Sequence, residues 1–258
     1  MNNLQAVVFG LVEGITEFLP ISSTGHLMLT GHVMGLTQTP FLKCFEIVIQ
    51  FGAILSVVFL YRRSLLVNVE VLKRVVVAFI PTGILGLTLY KIIKKYLLSS
   101  STVVLWSLLL GGIFLIIFEL LHKEKEDDVE DISTISYKSS VIIGLFQAIA
   151  MVPGVSRSAS TIVGGLALGL KRKTIVEFSF LLAVPTMLAA TGLDLVKNAN
   201  LFSLEQIHFL AIGFVISFFA ALGAVKYLLN FIKNHTFIPF GIYRIALVAV
   251  FWYVMYMM

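Results

Sequence analysis

Charge is scarce in this sequence of 258 residues: 13% are Asp, Glu, Lys or Arg, against 59% hydrophobic residues and a mean hydropathy of +0.99. Ordinary globular domains carry about 25% charged and about 45 to 50% apolar residues, so a soluble domain is excluded. Cysteine is scarcer still. The single Cys44 cannot form an internal disulfide and has no Cys or His at metal-ligand spacing, which removes a disulfide framework and a zinc site from consideration. Basic runs are also missing. The formal charge is +5, but Lys and Arg are spread over short connections, so orientation in a bilayer explains the excess better than nucleic acid does. The opening MNNLQAVVFGLVEG lacks a positive n-region and a small-residue cleavage site, and no removable signal peptide is expected.

What the sequence does have is apolar runs: about Leu4 to Leu36, Phe45 to Tyr61, Val75 to Tyr90, Val103 to Leu121, Val141 to Leu170, Ile175 to Val196, His208 to Leu229 and Phe237 to Met258. A bilayer crossing takes roughly 20 residues of helix, and in lipid every backbone group must pair internally. The expected fold is therefore an all-α polytopic membrane protein forming a single domain, 1–258. The first and fifth runs are interrupted near their middles by FLPISSTGH (Phe18 to His26) and VPGVSRSAS (Val152 to Ser160), and read as broken helices. The one soluble-looking segment, HKEKEDDVED from His122, holds six of the fourteen acidic residues and reads as a solvated linker.

Either side of that linker the pattern repeats. GLVEGITEFLPISSTG from Gly10 aligns with GLFQAIAMVPGVSRSAS from Gly144, and Glu46 and Glu177 each fall just inside the next run. If the broken segments are re-entrant helical hairpins, each half keeps three full crossings, about six in all. An odd number inserts the halves with opposite topology, the inverted repeat of many transporters. The halves are a first repeat 1–121, an acidic cytoplasmic linker 122–138 and a second repeat 139–258. Basic residues test the scheme, since cytoplasmic connections are richer in them. Twelve (Arg62, Arg63, Lys73, Arg74, Lys123, Lys125, Lys138, Lys171, Arg172, Lys173, Lys226 and Lys233) fall on one side and five (Lys43, Lys91, Lys94, Lys95 and Lys197) on the other. Both termini are then outside.

Outside the linker, Glu13, Glu17, Glu46, Glu177 and Asp194 lie in apolar runs, where an ionised carboxylate is costly and a functional role is the default. Glu13 and Glu17 are four apart and share a helix face, an arrangement that suits a cation beside them, one protonated carboxyl, or an acidic pair at a solvated mouth. Glu46 and Glu177 are equally readable as partners of basic groups. Ser22, Ser23 and Thr24 follow Pro20 at the start of a helix whose first N–H groups, with the hydroxyls, suit an anion. Ser23 and His26 are three apart, so an imidazole can reach a hydroxyl or a shared phosphate oxygen. In the second cluster Arg157 sits among Ser156, Ser158, Ser160 and Thr161. Its planar fork suits phosphate; the plainer alternative is a salt bridge to Glu13 or Glu17, or a contact with Gln147. For Phe240, Tyr243 and Arg244 interfacial anchoring suffices. If the hairpin tips meet, these parts suit phosphoryl transfer from a phosphate attached to a lipid.

Together GLVEGITEFLPISSTGH and PGVSRSAST resemble the two signature regions of the undecaprenyl-diphosphatase family, also called bacitracin-resistance proteins. FEIVIQFGAILSVVF from Phe45, FSFLLAVPTMLAATGLDL from Phe178 and FIPFGIYR from Phe237 are similar to that family's segments as well. The resemblance implies hydrolysis of undecaprenyl diphosphate to undecaprenyl phosphate and inorganic phosphate, which recycles the carrier for wall polymers. It implies a divalent cation, Mg²⁺ or Ca²⁺, with Glu13 and Glu17 matching the acidic motif. Ser23 and His26 match the catalytic pair, and Ser156, Arg157 and Thr161 the second motif. Ala159-Ser160 departs from the Gly-Ala of many members. The implied setting is the bacterial plasma membrane, with the site facing the extracytoplasmic side. The expected partners are a polyprenyl diphosphate lipid and the membrane, without nucleic acid and with a homodimer left open. On this reading the catalytic residues are Glu17, Ser23, His26 and Arg157, with Ser23 the nucleophile, His26 its base, and Glu17 orienting the imidazole or holding the metal. Direct attack by water, or His26 as nucleophile, fits the spacing nearly as well. Ser22, Thr24, Ser156, Ser158 and Thr161 join Arg157 around phosphate. The rival function is a transporter or flippase of a phosphorylated polyprenyl lipid, since inverted repeats of broken helices also serve alternating access. A scaffold without a small-molecule site leaves the intramembrane ionisable residues unexplained.

Overall fold

The computed structural model describes residues 1–92, 100–197 and 206–257, and the side chains of all of these except 66, 90–92, 193–197 and 255–257. Of the residues singled out above, Lys94 and Lys95 lie outside the described residues, as do the side chains of Lys91, Asp194 and Lys197. Eleven α-helices are described: α1 (Asn3–Thr16), α2 (Ser23–Val33), α3 (Pro40–Leu60), α4 (Arg62–Leu66), α5 (Val69–Ile92), α6 (Ser101–Leu121), α7 (Tyr137–Ile149), α8 (Arg157–Ala167), α9 (Arg172–Lys197), α10 (Ile207–Phe231) and α11 (Ile238–Met257). Among the described residues five, in α3, α5, α6, α9 and α10, are long and apolar enough to cross a membrane. α11 is apolar apart from Arg244, and its described side chains end at Val254. The chain is an all-α, multi-pass membrane protein.

α1, with 14 residues, and α7, with 13, are too short to cross, since about 1.5 Å of rise per residue falls well below a core of about 30 Å. Each stops where the sequence breaks. Glu17 ends α1, Pro20 follows, and α2 restarts at Ser23; α7 ends at Ala150, Pro153 follows, and α8 restarts at Arg157, capped by the Ser156 hydroxyl on the Ala159 N–H. Proline supplies no N–H and disfavours a helical residue before it, so both breaks are local in origin. α2 packs back on α1, and α8 on α7.

Lipid gives no hydrophobic advantage to helix contact, so close backbone approach between small residues has to supply it. α1 lies along α10, and α7 along α5. A Cβ added at Gly14 would stand 2.5 Å from the Ser217 carbonyl oxygen of α10, and one at Gly144 would strike the carbonyl oxygen of Ala78 on α5. The breaks themselves are packed: Phe18, Leu19 and Ile21 enter the main core, where Phe18 meets Phe180 edge-on at 5.5 Å.

The acidic linker is exposed but not merely solvated. Val129 forms a parallel bridge to Leu170, Glu130 pairs with Lys171, and Glu124 accepts from the Arg172 N–H at 2.6 Å. Lys171 holds the Glu130 carboxyl below its ordinary value, so this tie weakens only as pH falls into the carboxylate range. Arg172 also reaches the buried Glu119 of α6 at 2.5 Å. Three acidic side chains thus gather on the start of α9. Arg172→Ala is expected to leave Glu119 buried without a counter-charge and to cost about 3–5 kcal/mol, read as a lower unfolding midpoint in detergent. Glu119→Gln in the same chain should recover part of the loss.

Candidate active site

The two breaks meet. The Ser158 hydroxyl donates to the Leu19 carbonyl at 2.9 Å, the Ser156 hydroxyl reaches the same oxygen at 3.5 Å, and the Arg157 Nη2 donates to the Glu17 Oε1 at 3.3 Å. Residues about 140 apart in sequence are therefore one cluster. Arg157 is fixed further by donation from Nη1 to the Ser179 carbonyl at 3.0 Å and by the Phe18 ring, 5.7 Å from its guanidinium carbon.

Glu17 ends α1, and its other oxygen, Oε2, accepts from the Ser23 hydroxyl at 2.6 Å. That length is at the short end for a hydroxyl–carboxyl hydrogen bond. Ser23 was expected to pair with His26, but both imidazole nitrogens are engaged elsewhere. Nδ1 donates to the Ser22 carbonyl at 2.8 Å, which fixes the proton there, and Nε2 accepts from the Tyr243 hydroxyl at 2.8 Å. The two rings stack with centroids 5.5 Å apart and planes 4° from parallel. The reason lies in Ser22, whose φ of +69° is costly for a residue with a Cβ. This turn aims its carbonyl at His26 and swings Ser23 back over the end of α1.

The other expected residues divide by helix face. Successive helical residues point about 100° apart, so with Ser23 and His26 turned inward Thr24 faces out and is exposed, apart from the cluster. Ser22 takes part through its backbone. Ser156, Ser158 and Thr161 are buried, and their hydroxyls are spent on structure: Thr161 joins the Ser179 hydroxyl at 2.6 Å, and Ser156 and Ser158 share a contact at 3.0 Å. Arg157 is the member of that segment left facing an anion. Its buried Nε has no partner among the described residues.

A divalent cation needs oxygen donors. Among the described residues no group of three His, Cys, Asp or Glu is spaced to hold a metal. Glu13 nonetheless fits one: it is 1% exposed, neither of its carboxylate oxygens has a hydrogen-bond partner among the described residues, and it faces Glu17 one turn on. Two protein carboxylates would leave the remaining positions to phosphate oxygens and water. Glu46 accepts from Gln38 at 3.2 Å and is an electrostatic neighbour of Glu13, while Glu177 is half-buried with Lys173 in its surroundings.

The family model described as "Bacitracin resistance protein BacA" matches residues 6–250. This chain belongs to that family. It is also 54% identical to a protein of Sulfurihydrogenibium sp. over 99% of this chain and 100% of the relative. The corresponding figures are 52%, 97% and 97% for a protein of Wolinella succinogenes, and 52%, 97% and 98% for one of Aquifex aeolicus. All three relatives carry the name undecaprenyl-diphosphatase.

Two residues of this BacA-family chain carry more than the interfacial anchoring expected of them. Tyr243 holds His26. Arg244 is 1% exposed and donates to the carbonyls of Ser107, Leu108 and Gly154 at 2.9, 3.2 and 3.1 Å, tying the second break to α6 and α11. The signal for Arg244 was present in the sequence, since an arginine in an apolar run calls for buried acceptors wherever it occurs. α11 begins against the core, with Phe237 and Phe240 buried, which brings Tyr243 and Arg244 within reach of the two breaks.

Proposed function

We propose that this chain hydrolyses undecaprenyl diphosphate to undecaprenyl phosphate and inorganic phosphate, recycling the lipid carrier for cell-wall synthesis. The observation that carries the reading is the contact of Arg157 with the Glu17–Ser23 pair across the two breaks, in a chain similar over nearly its whole length to proteins named for that reaction. Lipid transport needs the arginine and the helix starts but gives no use to a hydroxyl held on a carboxylate. The enzyme is a phosphoric anhydride hydrolase.

Arg157 holds the outer phosphate, aided by the start of α8. Ser23 Oγ attacks that phosphorus and passes its proton to Glu17 Oε2, the atom it already bonds. The bridging P–O bond breaks, undecaprenyl phosphate leaves, and water hydrolyses the phosphoserine. His26, held by Ser22 and Tyr243, serves in this reading as a proton carrier for the later step, with Tyr243 as its bonded partner. Glu13, with Glu17, would hold Mg²⁺ or Ca²⁺, which supplies charge neutralisation to the diphosphate.

The site faces the extracytoplasmic side in this reading, with α1–α2 and α7–α8 as re-entrant hairpins of an inverted repeat, and 122–138 as the cytoplasmic connection between repeats. Support comes from the twelve-to-five division of basic residues and from the parallel packing scheme, in which each hairpin lies on a helix of the other half. One chain supplies every residue named, so a homodimer, where it forms, carries two complete sites.

Purified protein in detergent is expected to release phosphate from farnesyl diphosphate with Mg²⁺, and chelation should abolish release in a manner reversed by added Mg²⁺. Quenching turnover of substrate labelled in its outer phosphate should leave label on Ser23. Label on His26, or on neither residue, would remove Ser23 as nucleophile.

A further inference from the structure

A groove of about 600 Å³ opens beside the catalytic cluster, between the end of α1 and the helices α10 and α11. Ile15, Leu19, Gly223, Tyr227, Phe231 and Tyr243 are among its walls. Its position ties it to the chemistry at two points. Leu19 lines it while the Leu19 carbonyl accepts the Ser158 hydroxyl, and Tyr243 lines it while its hydroxyl binds His26. The far end, at Tyr227 and Phe231, lies about two to three turns along α10 from Ala220. Tyr227 is 57% exposed, so the groove opens sideways toward lipid.

A second, smaller groove of about 360 Å³ lies at the matching place in the other half, between α5 and α7. Its lining includes Pro81, Ile84 and Leu145, is apolar throughout, and contains no residue hydrogen-bonded to the catalytic cluster. Apolar surface alone therefore does not distinguish the first groove. The bonds of its Leu19 and Tyr243 to Ser158 and His26 do.

We infer that the α1–α10–α11 groove binds the phosphate-proximal isoprene units of the substrate, and that Gly223 sets how much chain it accepts. The inference rests on the hydrolase reading above. A prenyl diphosphate has one polar end and one apolar tail joined at a single carbon, and Leu19 and Tyr243 stand at the matching junction of polar cluster and apolar groove. The volume lies in the range of small-molecule pockets, about 300–1,000 Å³, enough for the first part of a long prenyl chain and not the whole. The remainder extends through the open side into the bilayer. Gly223 borders open space in the groove: a Cβ there meets nothing within 4 Å.

Gly223→Phe places a ring in the groove from a position where the added Cβ itself meets no neighbour. It is expected to raise KM for undecaprenyl diphosphate about tenfold or more and KM for dimethylallyl diphosphate by much less, because a single isoprene unit has fewer buried carbons to lose. Ile84→Phe, in the second groove, should change neither. Equal responses of the two substrates to Gly223→Phe, or an unchanged KM for the long one, would overturn the proposal. A measurement on the unaltered protein reads the same site without any variant: a farnesyl diphosphate analogue carrying a photoreactive group at its tail, with peptides mapped by mass spectrometry. Label between Ala220 and Phe231, displaced by undecaprenyl diphosphate, is the expected result; label confined to α5 and α7, or spread over the lipid-facing surface, rejects the groove. Failure of the unaltered protein to release phosphate from any prenyl diphosphate would sink the hydrolase reading, and the photolabel would still decide the groove.

Discussion

Glu17→Gln should lower kcat by about 10²- to 10⁴-fold, the usual contribution of a positioned general base. Glutamine keeps the shape and can still accept the Ser23 hydroxyl hydrogen bond, so the site stays assembled, but it cannot take the proton. The substitution also removes the charge facing Arg157 at 3.3 Å, which frees the guanidinium for phosphate. At Mg²⁺ high enough to offset the lost carboxylate, KM should therefore hold steady or fall while turnover collapses, a split that points to loss of a transition-state interaction. His26→Gln is the informative comparison, because Nε2 of His26 is bonded to Tyr243 and not to Ser23. Steady-state kinetics on undecaprenyl diphosphate would check both. A nearly active Glu17→Gln beside an inactive His26→Gln would return the base to the histidine.

Arg157→Ala is expected to damage binding and chemistry together. It strips the phosphate of its planar fork of donors and leaves Glu17, 8% exposed, without its counter-charge. Removing one charge-stabilising donor from an active site costs about 10²–10³ in kcat, and a KM increase should come on top of it. Arg157→Lys restores charge but not the fork: Nη1 and Nη2 now serve Ser179 and Glu17 separately, and an ammonium cannot span both. It should recover only part of the activity. Binding can be isolated by titrating a non-hydrolysable diphosphate analogue, with Ser23→Ala as a reference that keeps affinity and loses turnover.

The carbon skeleton of this fold was readable from local chemistry. Pro20 and Pro153 mark the two interruptions, and the carboxylates and arginine in apolar runs mark the residues that meet there. The pairing within the cluster was not readable. Spacing put Ser23 and His26 on one face and favoured their partnership, whereas the positive φ of Ser22 turns Ser23 toward Glu17, and no helical periodicity encodes a left-handed residue in a serine. His26 finds its partner 217 residues away, at a separation where composition carries no information. The acidic segment is exposed, as its composition suggests, but its ties to Lys171 and Arg172 were not readable, because those partners lie more than forty positions downstream.

The glycine contacts of α1 and α7 have a bearing on how the protein meets membranes of different thickness. With Gly14 against the Ser217 carbonyl and Gly144 against that of Ala78, each short helix is packed backbone to backbone on a helix of the other half. The position of Glu17 relative to Arg157 is thereby set by contacts inside the protein. A thicker or thinner bilayer can tilt the outer helices, while the distance between carboxylate and guanidinium stays where the glycines put it.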